Sequence, residues 1–380
     1  MSVKTILFDL DGTLLPMDQE LFVTSYLKRL AGALAPHGYD PNALVKSIWE
    51  GTGAMVQNDG SKLNMQVFWD SFATRFGESA RKDEPLFEEF YHTGFPGVKE
   101  SCGFAPQAKE VLDHVKSLGF QAVLATNPIF PAIATHQRVQ WAGLKVEDFI
   151  HITTYENASF CKPNPAYYAE ILQKLGLKAE ECLMVGNDVV EDMVAETLGM
   201  QVFLLTPCII NKKDADISRY PHGDFNDLLA YLDSLVPETF SPAAPDDLDQ
   251  IMALQVQVFT GEQQIPENLV YAVQDAAPQW YCAKRGNQVL GTVAVWQEGE
   301  VAHWGRFAVQ PALRNNGIGK QLARYSLEQS FARGIQRIYV EAREATVQIL
   351  CNMGGRVIGP AVPFYVGTVT PTEVLATDFH

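Results

Sequence analysis

The chain has 380 residues, 47% of them hydrophobic, with a mean hydropathy of -0.05 and a formal net charge of -16. That length exceeds one ordinary core and implies two or three domains of a soluble globular protein. The charge disfavours nonspecific binding to nucleic acid or an anionic membrane, and no apolar run approaches the ~20 residues a membrane helix needs. The acidity is uneven. Residues 246–380 hold 10 Lys+Arg against 13 Asp+Glu, and the rest holds 19 against 32. Cys102, Cys161, Cys182, Cys208, Cys282 and Cys351 show no Cys-x-x-Cys spacing, as expected of reduced thiols in a cytoplasm. The start at Met1 leaves no room for a signal peptide before the first strand, so a cytoplasmic location is expected.

The first element is an apolar run at 5–8, read as a buried strand. It leads into Asp9-Leu10-Asp11-Gly12-Thr13. Two carboxylates thus fall where a strand gives way to a loop, next to backbone N–H groups and a hydroxyl suited to an anion. Such a pair makes sense if one Asp attacks phosphorus, the other moves a proton and a divalent cation screens the charge. Residues 15–98 follow, an insertion rich in aromatics with helices expected at 19–35, 42–50, 64–76 and 84–91. A strand crossover needs far fewer residues, so this stretch reads as a helical cap.

Strands are then expected at 121–125, 149–153, 182–185 and 201–205, with helices such as 105–118 and 165–175 between them. This alternation implies a mostly parallel sheet with helices on both faces, which binds ligands beyond the C-terminal strand ends. Polar residues follow three of these strands. Thr126-Asn127 suits phosphate oxygens. Lys162-Pro163 supplies a compact cation. Gly186-Asn187-Asp188, with Asp192 four residues on, can complete an oxygen-ligated cation site.

Over about residues 1–235 these motifs, in this order, resemble the haloacid dehalogenase (HAD) superfamily with a helical cap. The resemblance implies a Rossmann-like α/β fold. It also implies a Mg2+-dependent phosphatase acting on a small phosphorylated metabolite through an aspartyl-phosphate. Asp9 would be the nucleophile and Asp11 the general acid and base. Gly12, Thr13, Thr126, Asn127 and Lys162 would hold the phosphoryl group. Asp9, the Asp11 carbonyl and Asp188 would hold Mg2+, with Asn187 and Asp192 behind them. Asn187 stands where members often carry an acid. In the cap, Lys46, Trp49, Asn58, Asp59, Lys62 and Trp69 are candidates to face a substrate cavity.

Residues 236–245, rich in Pro, read as an interdomain linker. A helix at 246–259 and strands at 280–284, 288–296 and 302–309 come next. Then Arg314-Asn315-Asn316-Gly317-Ile318-Gly319-Lys320 opens a helix at 319–333, ahead of a strand at 337–342. Glycines at a helix start allow close backbone approach to an anion. The spacing Arg-x-x-Gly-x-Gly, from Val309 onward, resembles the acetyl-CoA loop of the GNAT N-acetyltransferases, an α+β fold. Val309, Arg314, Asn315, Gly317, Ile318, Gly319 and Lys320 would bind acetyl-CoA, and a small amine would accept the acetyl group. Gln255 replaces an Arg common in one bacterial branch, and Leu350 replaces a Tyr that protonates the leaving thiolate in many members. His303, Tyr365 and Glu262 are the acid–base candidates, and Cys351 reads as a buried apolar residue. The expected whole is a bifunctional enzyme. The alternatives are a non-catalytic sensor of CoA and a phosphorylated metabolite, or a phosphosugar mutase using the same Asp pair.

Overall fold

The computed structural model describes residues 3–380, so the leader reading falls partly on Met1 and Ser2, outside the described residues. The chain forms two compact units, Met1–Leu235 and Val236–His380. Among the described residues no helix is long and apolar enough to cross a membrane.

The N-terminal unit is built on six parallel strands: β1 (Thr5–Phe8), β2 (Gln121–Leu124), β3 (His151–Ile152), β4 (Cys182–Gly186), β5 (Gln201–Leu205) and β6 (His222–Gly223). Their order, β3-β2-β1-β4-β5-β6, reverses direction at β1. The crevice of such a sheet lies at that reversal, beyond the C-terminal ends of the strands. β1 is buried throughout and reads as a continuous apolar run because helices cover both faces.

Between β1 and β2 the cap folds as α1 (Gln19–Leu34), α2 (Pro41–Val56), α3 (Asn64–Phe76) and α4 (Glu84–Thr93). Asp18 and Asp40 start α1 and α2 by accepting amide hydrogen bonds, and Pro41 fits the first turn of α2 because no donor is needed there. α2 runs past the expected end at residue 50, through Gly51 and Gly53. Packing overrides the helix cost of glycine: a Cβ on Gly51 would strike the Phe68 ring of α3. Tyr26, Phe72, Phe87, Phe90 and Phe95 make an aromatic core.

Four more helices complete the unit: α5 (Gln107–Ser117), α6 (Ala132–Trp141), α7 (Pro165–Leu175) and α8 (Phe225–Ser234). Tyr167, Tyr168 and Ile171 of α7 pack with Met184 and Met193 against one sheet face.

The C-terminal unit begins where a linker was expected. Within 236–245 lies β7 (Glu238–Pro242), antiparallel to β8 (Gln279–Arg285). The strand tolerates its proline because it forms the sheet edge and Pro242 ends it. Phe240 packs against the core, and Glu238 pairs with Arg285 at 3.0 Å. The other strands are β9 (Gln288–Glu298), β10 (Val301–Val309), β11 (Arg337–Ala342), β12 (Arg356–Val357), β13 (Val362–Pro363) and β14 (Thr368–Leu375), in the sheet order β12-β14-β11-β10-β9-β8-β7 with β13 paired to β14 off this path. The helices are α9 (Leu248–Gln255), α10 (Glu267–Tyr271), α11 (Ile318–Ala332) and α12 (Glu344–Cys351). The helix expected to reach residue 259 changes after Gln255 into a π-helical stretch, Val256–Glu262.

β10 and β11 run parallel but pair only at Ala302↔Ile338 and His303↔Tyr339. On its other side β10 bulges between Gly305 and Ala308, with Arg306 at φ 54°. The buried amide of Gln255 holds the bulge, donating to the Arg306 carbonyl at 2.8 Å and to Thr292 Oγ1 at 2.6 Å.

Candidate functional site

Asp9 lies one residue beyond β1, its amide bonded to the Val185 carbonyl of β4 and Ala125 bonded back to Phe8. The strand ends therefore bring the motifs within reach of one another. Lys162, almost fully buried, donates to Asp9 Oδ1 at 2.8 Å and to Asp192 Oδ1 at 2.6 Å. The Thr13 hydroxyl lies 3.1 Å from Asp9 Oδ2 and 3.0 Å from Asn187 Oδ1. Gly12 has φ +86°, and a Cβ there would run into the Asn187 amide, so the loop requires glycine. Gly186 leaves room for the Asp192 carboxylate in the same way.

Burial works against the Lys162 charge, but Asp192 and Asp9 outweigh it and hold its pKa well above the ordinary value. Burial pushes the Asp192 carboxyl up, more than the Lys162 ammonium draws it down. Asp11 turns from this network to Arg138 of α6, a fully buried guanidinium that also contacts Thr135 Oγ1. Burial raises the Asp11 pKa, Arg138 offsets part of this, and Asp9 adds to it. Its Oδ1 is buried without a partner. A carboxyl biased toward its protonated form is suited to giving a proton to a leaving group.

The remaining motif residues are arranged less directly. Thr126 is buried, and its carbonyl accepts from Thr153 Oγ1 and the Tyr167 hydroxyl. The Asn127 amide donates to Glu191 at 3.1 Å and leaves its own Oδ1 buried without a partner. Asp188 Oδ1 accepts from the amides of Val190 and Glu191, and the Asp188 amide donates to Asp192 Oδ2 at 2.9 Å. Burial pushes the Glu191 carboxyl up to about 7.

Among the described residues no three His, Cys, Asp or Glu side chains cluster as a metal-binding group. The expected donors, two carboxylates and the Asp11 carbonyl, are all hard oxygens of the kind Mg2+ takes. The charge balance agrees with them. Asp9, Asp11, Asp188, Glu191 and Asp192 gather around Lys162 and Arg138, leaving an excess of negative charge that a divalent cation would offset. The residues fit the ion.

Arg138 and Glu191 were not singled out by the motif reading. Glu191 lies between Asp188 and Asp192, immediately before the latter. Arg138 gave no signal, since a lone Arg in a polar stretch reads as solvent-facing. Its guanidinium lies over the Phe130 ring at 4.6 Å, and Phe130 lines a cavity of about 40 Å³ beneath the cap with Tyr26, Trp69, Tyr91 and Tyr155. Of the cap candidates only Trp69 lines this cavity. Trp49 and Lys46 are exposed, Asn58 is tied to Asn64 and the Lys62 carbonyl, Asp59 bonds locally to Ser61, and Lys62 pairs with Asp70.

In the C-terminal unit, the loop after β10 brings Gly317, at φ +87°, to the start of α11 with no side chain capping that end. Asn315 also has positive φ, at 68°. Ile318 is buried and anchors the helix start, Val309 lies in the core, and a Cβ on Gly319 would crowd Phe307 and Val309. Lys320 follows in the first turn of α11. Arg314 is engaged by Glu262, with two N–H···O bonds of 2.8 Å, so Glu262 is an ion-pair partner in this structure.

Where β10 and β11 part, a cavity of about 700 Å³ opens, lined among others by His303, Arg306, Arg343 and Tyr365. His303 stacks on Trp296 and lies 3.5 Å from Glu298. Leu350 is a core residue. Cys351, expected to be buried, is exposed because it ends α12 on the side away from Leu350.

Comparison with known proteins places each unit in a family. The haloacid dehalogenase-like hydrolase family model matches residues 3–195, and the GNAT acetyltransferase family model matches 248–352. The pyrophosphatase PpaX of Bacillus cereus is 28% identical over 50% of this chain and 76% of its own. A phosphoglycolate phosphatase of Vibrio parahaemolyticus is 26% identical over 54% of this chain and 84% of its own. The crystal structure of a HAD phosphatase from Thermococcus onnurineus aligns with TM-score 0.39 and 18% identity, over 60% of this chain and 98% of that one. The chain belongs to the haloacid dehalogenase-like hydrolases and carries, at 248–352, a region of the GNAT acetyltransferase family.

Proposed function

We propose that the N-terminal unit is a Mg2+-dependent phosphatase of small phosphorylated metabolites, working through an aspartyl-phosphate on Asp9. The observation that carries this reading is the division of labour between the two Asp residues. Asp9 is paired with Lys162 and hydrogen-bonded by Thr13, whereas Asp11 is held apart by Arg138 with its pKa raised. Asp9 attacks phosphorus while Lys162 balances charge on the phosphoryl oxygens. Thr126 and Asn127 hold those oxygens; the backbone N–H groups of Gly12 and Thr13, expected to join them, instead donate to the Leu15 and Leu10 carbonyls at 2.8 and 3.2 Å and shape the loop. Asp11 protonates the leaving oxygen and then takes a proton from the water that cleaves the phospho-Asp. Asp9, Asp188 and the Asp11 carbonyl, with Asn187 and Asp192 behind them, would hold Mg2+, which would supply charge neutralisation at the transferring group. The two relatives are named for pyrophosphate and for phosphoglycolate, which supports a small phosphorylated anion as substrate.

Phosphate release from pyrophosphate, phosphoglycolate and an aryl phosphate tests the reading. EDTA should bring release to background and Mg2+ should restore it. Equal release with and without the metal would refute the metal's role.

We read the C-terminal unit as an acetyltransferase that binds acetyl-CoA through Arg314, Asn315, Lys320 and the uncapped start of α11, where N–H groups favour phosphate. Acetyl-CoA at ~100 times its Kd should stabilise the folded chain by about 2.7 kcal/mol. Gly317→Glu puts a carboxylate and a disfavoured φ at this point and should abolish the shift in melting temperature. An unchanged shift would sink the loop's assignment.

A further inference from the structure

We propose that the 700 Å³ cavity of the C-terminal unit accepts a small amine that also bears a carboxylate, an amino acid with an apolar side chain, whose carboxylate is bound by Arg343 and Arg306. The proposal rests on the acetyltransferase reading of this unit and names its acceptor.

Arg343 donates through Nε to Gln263 Oε1 at 3.2 Å and through Nη1 to the Thr368 carbonyl at 3.3 Å, and its guanidinium lies 5.9 Å from the Phe364 ring centroid. These contacts fix its plane. Nη2 remains buried without a partner. Arg306 projects from the β10 bulge, donates to the Leu269 carbonyl at 2.7 Å and lies over Phe259. Burial also disfavours its charge and lowers its pKa. Every hydrogen-bond partner of these two guanidiniums is a neutral oxygen, and both residues line the same cavity. A desolvated guanidinium with an unfilled N–H is costly unless an anion answers it, and its forked donors match a carboxylate.

The cavity's own acids do not answer that need. Glu298 is 63% exposed and accepts from Trp296 Nε1, while Glu341 is exposed and accepts from the Tyr339 hydroxyl. Acetyl-CoA does not answer it either, because its phosphates belong at the start of α11 and its thioester is neutral. The anion is therefore the acceptor's own. Phe259, Ile265, Leu269, Trp304, Phe307 and Val369 supply apolar wall for the side chain, and Glu298, exposed beside His303, favours its ammonium end. In the transfer, the bound ammonium first gives one proton to solvent, and the resulting amine nitrogen bonds to the acetyl carbon as the carbon–sulfur bond breaks. The electron pair leaves on the CoA sulfur, which takes up the proton the amine loses.

Calorimetry on the full chain tests this with L-leucine, L-methionine and L-phenylalanine against their carboxamides, with and without acetyl-CoA. At least one acid should bind tenfold or more tightly than its amide, and CoA thiol release should follow the same preference. Arg343→Ala should erase the difference, and Arg343→Lys should restore only part of it. Circular dichroism checks that both variants fold, and the wild-type acid–amide comparison decides the matter if they do not. No binding by any of the acids, amides binding equally well, or a preference that survives Arg343→Ala would each overturn the proposal. A missing acetyl-CoA shift in the wild-type chain would overturn the cofactor reading instead, since the acid–amide comparison is made without acetyl-CoA as well.

Discussion

Asp9→Asn is expected to lower phosphate release by on the order of 10⁴-fold or more, because it removes the attacking oxygen and the step has no substitute nucleophile. The fold should survive. An amide at this position can turn its oxygen toward Lys162 and its NH2 toward the Thr13 hydroxyl, which keeps both contacts that Asp9 now makes. Loss of one negative charge also relieves a strand end where Asp11, Asp188, Glu191 and Asp192 crowd together. The melting temperature should therefore equal or exceed that of the native chain. Full activity in the variant would end the phospho-Asp9 mechanism. Lost activity with lost structure would place Asp9 in the framework and not in the chemistry.

Lys162→Met should destabilise the N-terminal unit by about 3–5 kcal/mol, the cost of removing one partner of a buried ion pair. Lys162 and Asp192 side chains are each 1% exposed, so water cannot take the place of the missing ammonium. Urea unfolding measures the loss. Adding Asp192→Asn to Lys162→Met should recover much of the stability, since the stranded carboxylate is gone, yet leave phosphate release near background. A single variant as stable as the native chain would show that the Lys162 network is not structural. Recovery of activity in the double variant would show that Lys162 does not act on the phosphoryl group.

The parts of the fold legible in the sequence were those with strong local signals. β1, β4 and β5 are unbroken apolar runs, and Asp9, Asp11, Lys162 and Asp188 follow strand ends in an order that topology explains. What escaped was long-range. Arg138 finds Asp11 across 127 residues, and Arg314 finds Glu262 across 52, and neither Arg differs locally from a solvated one. β7 escaped because the prolines in and around it suggested a loop, while the edge position makes Pro242, the one within the strand, harmless. Cys351 escaped because composition ranks cysteine as a buried type, whereas the turn of α12 points it outward.

α6 carries two adjacent residues with separate duties: Gln137 donates to the Tyr91 carbonyl of the cap at 2.7 Å, and Arg138 clamps Asp11. This fixes chain length as tightly as it fixes residue type. One residue inserted within α6, between Ala132 and Gln137, would turn the guanidinium about 100° around the helix and shift it ~1.5 Å along the axis. Both duties would fail together, although no motif residue had changed. The first turns of α6 up to Arg138 thus have no tolerance for insertion or deletion, unlike the solvent loops of the same unit.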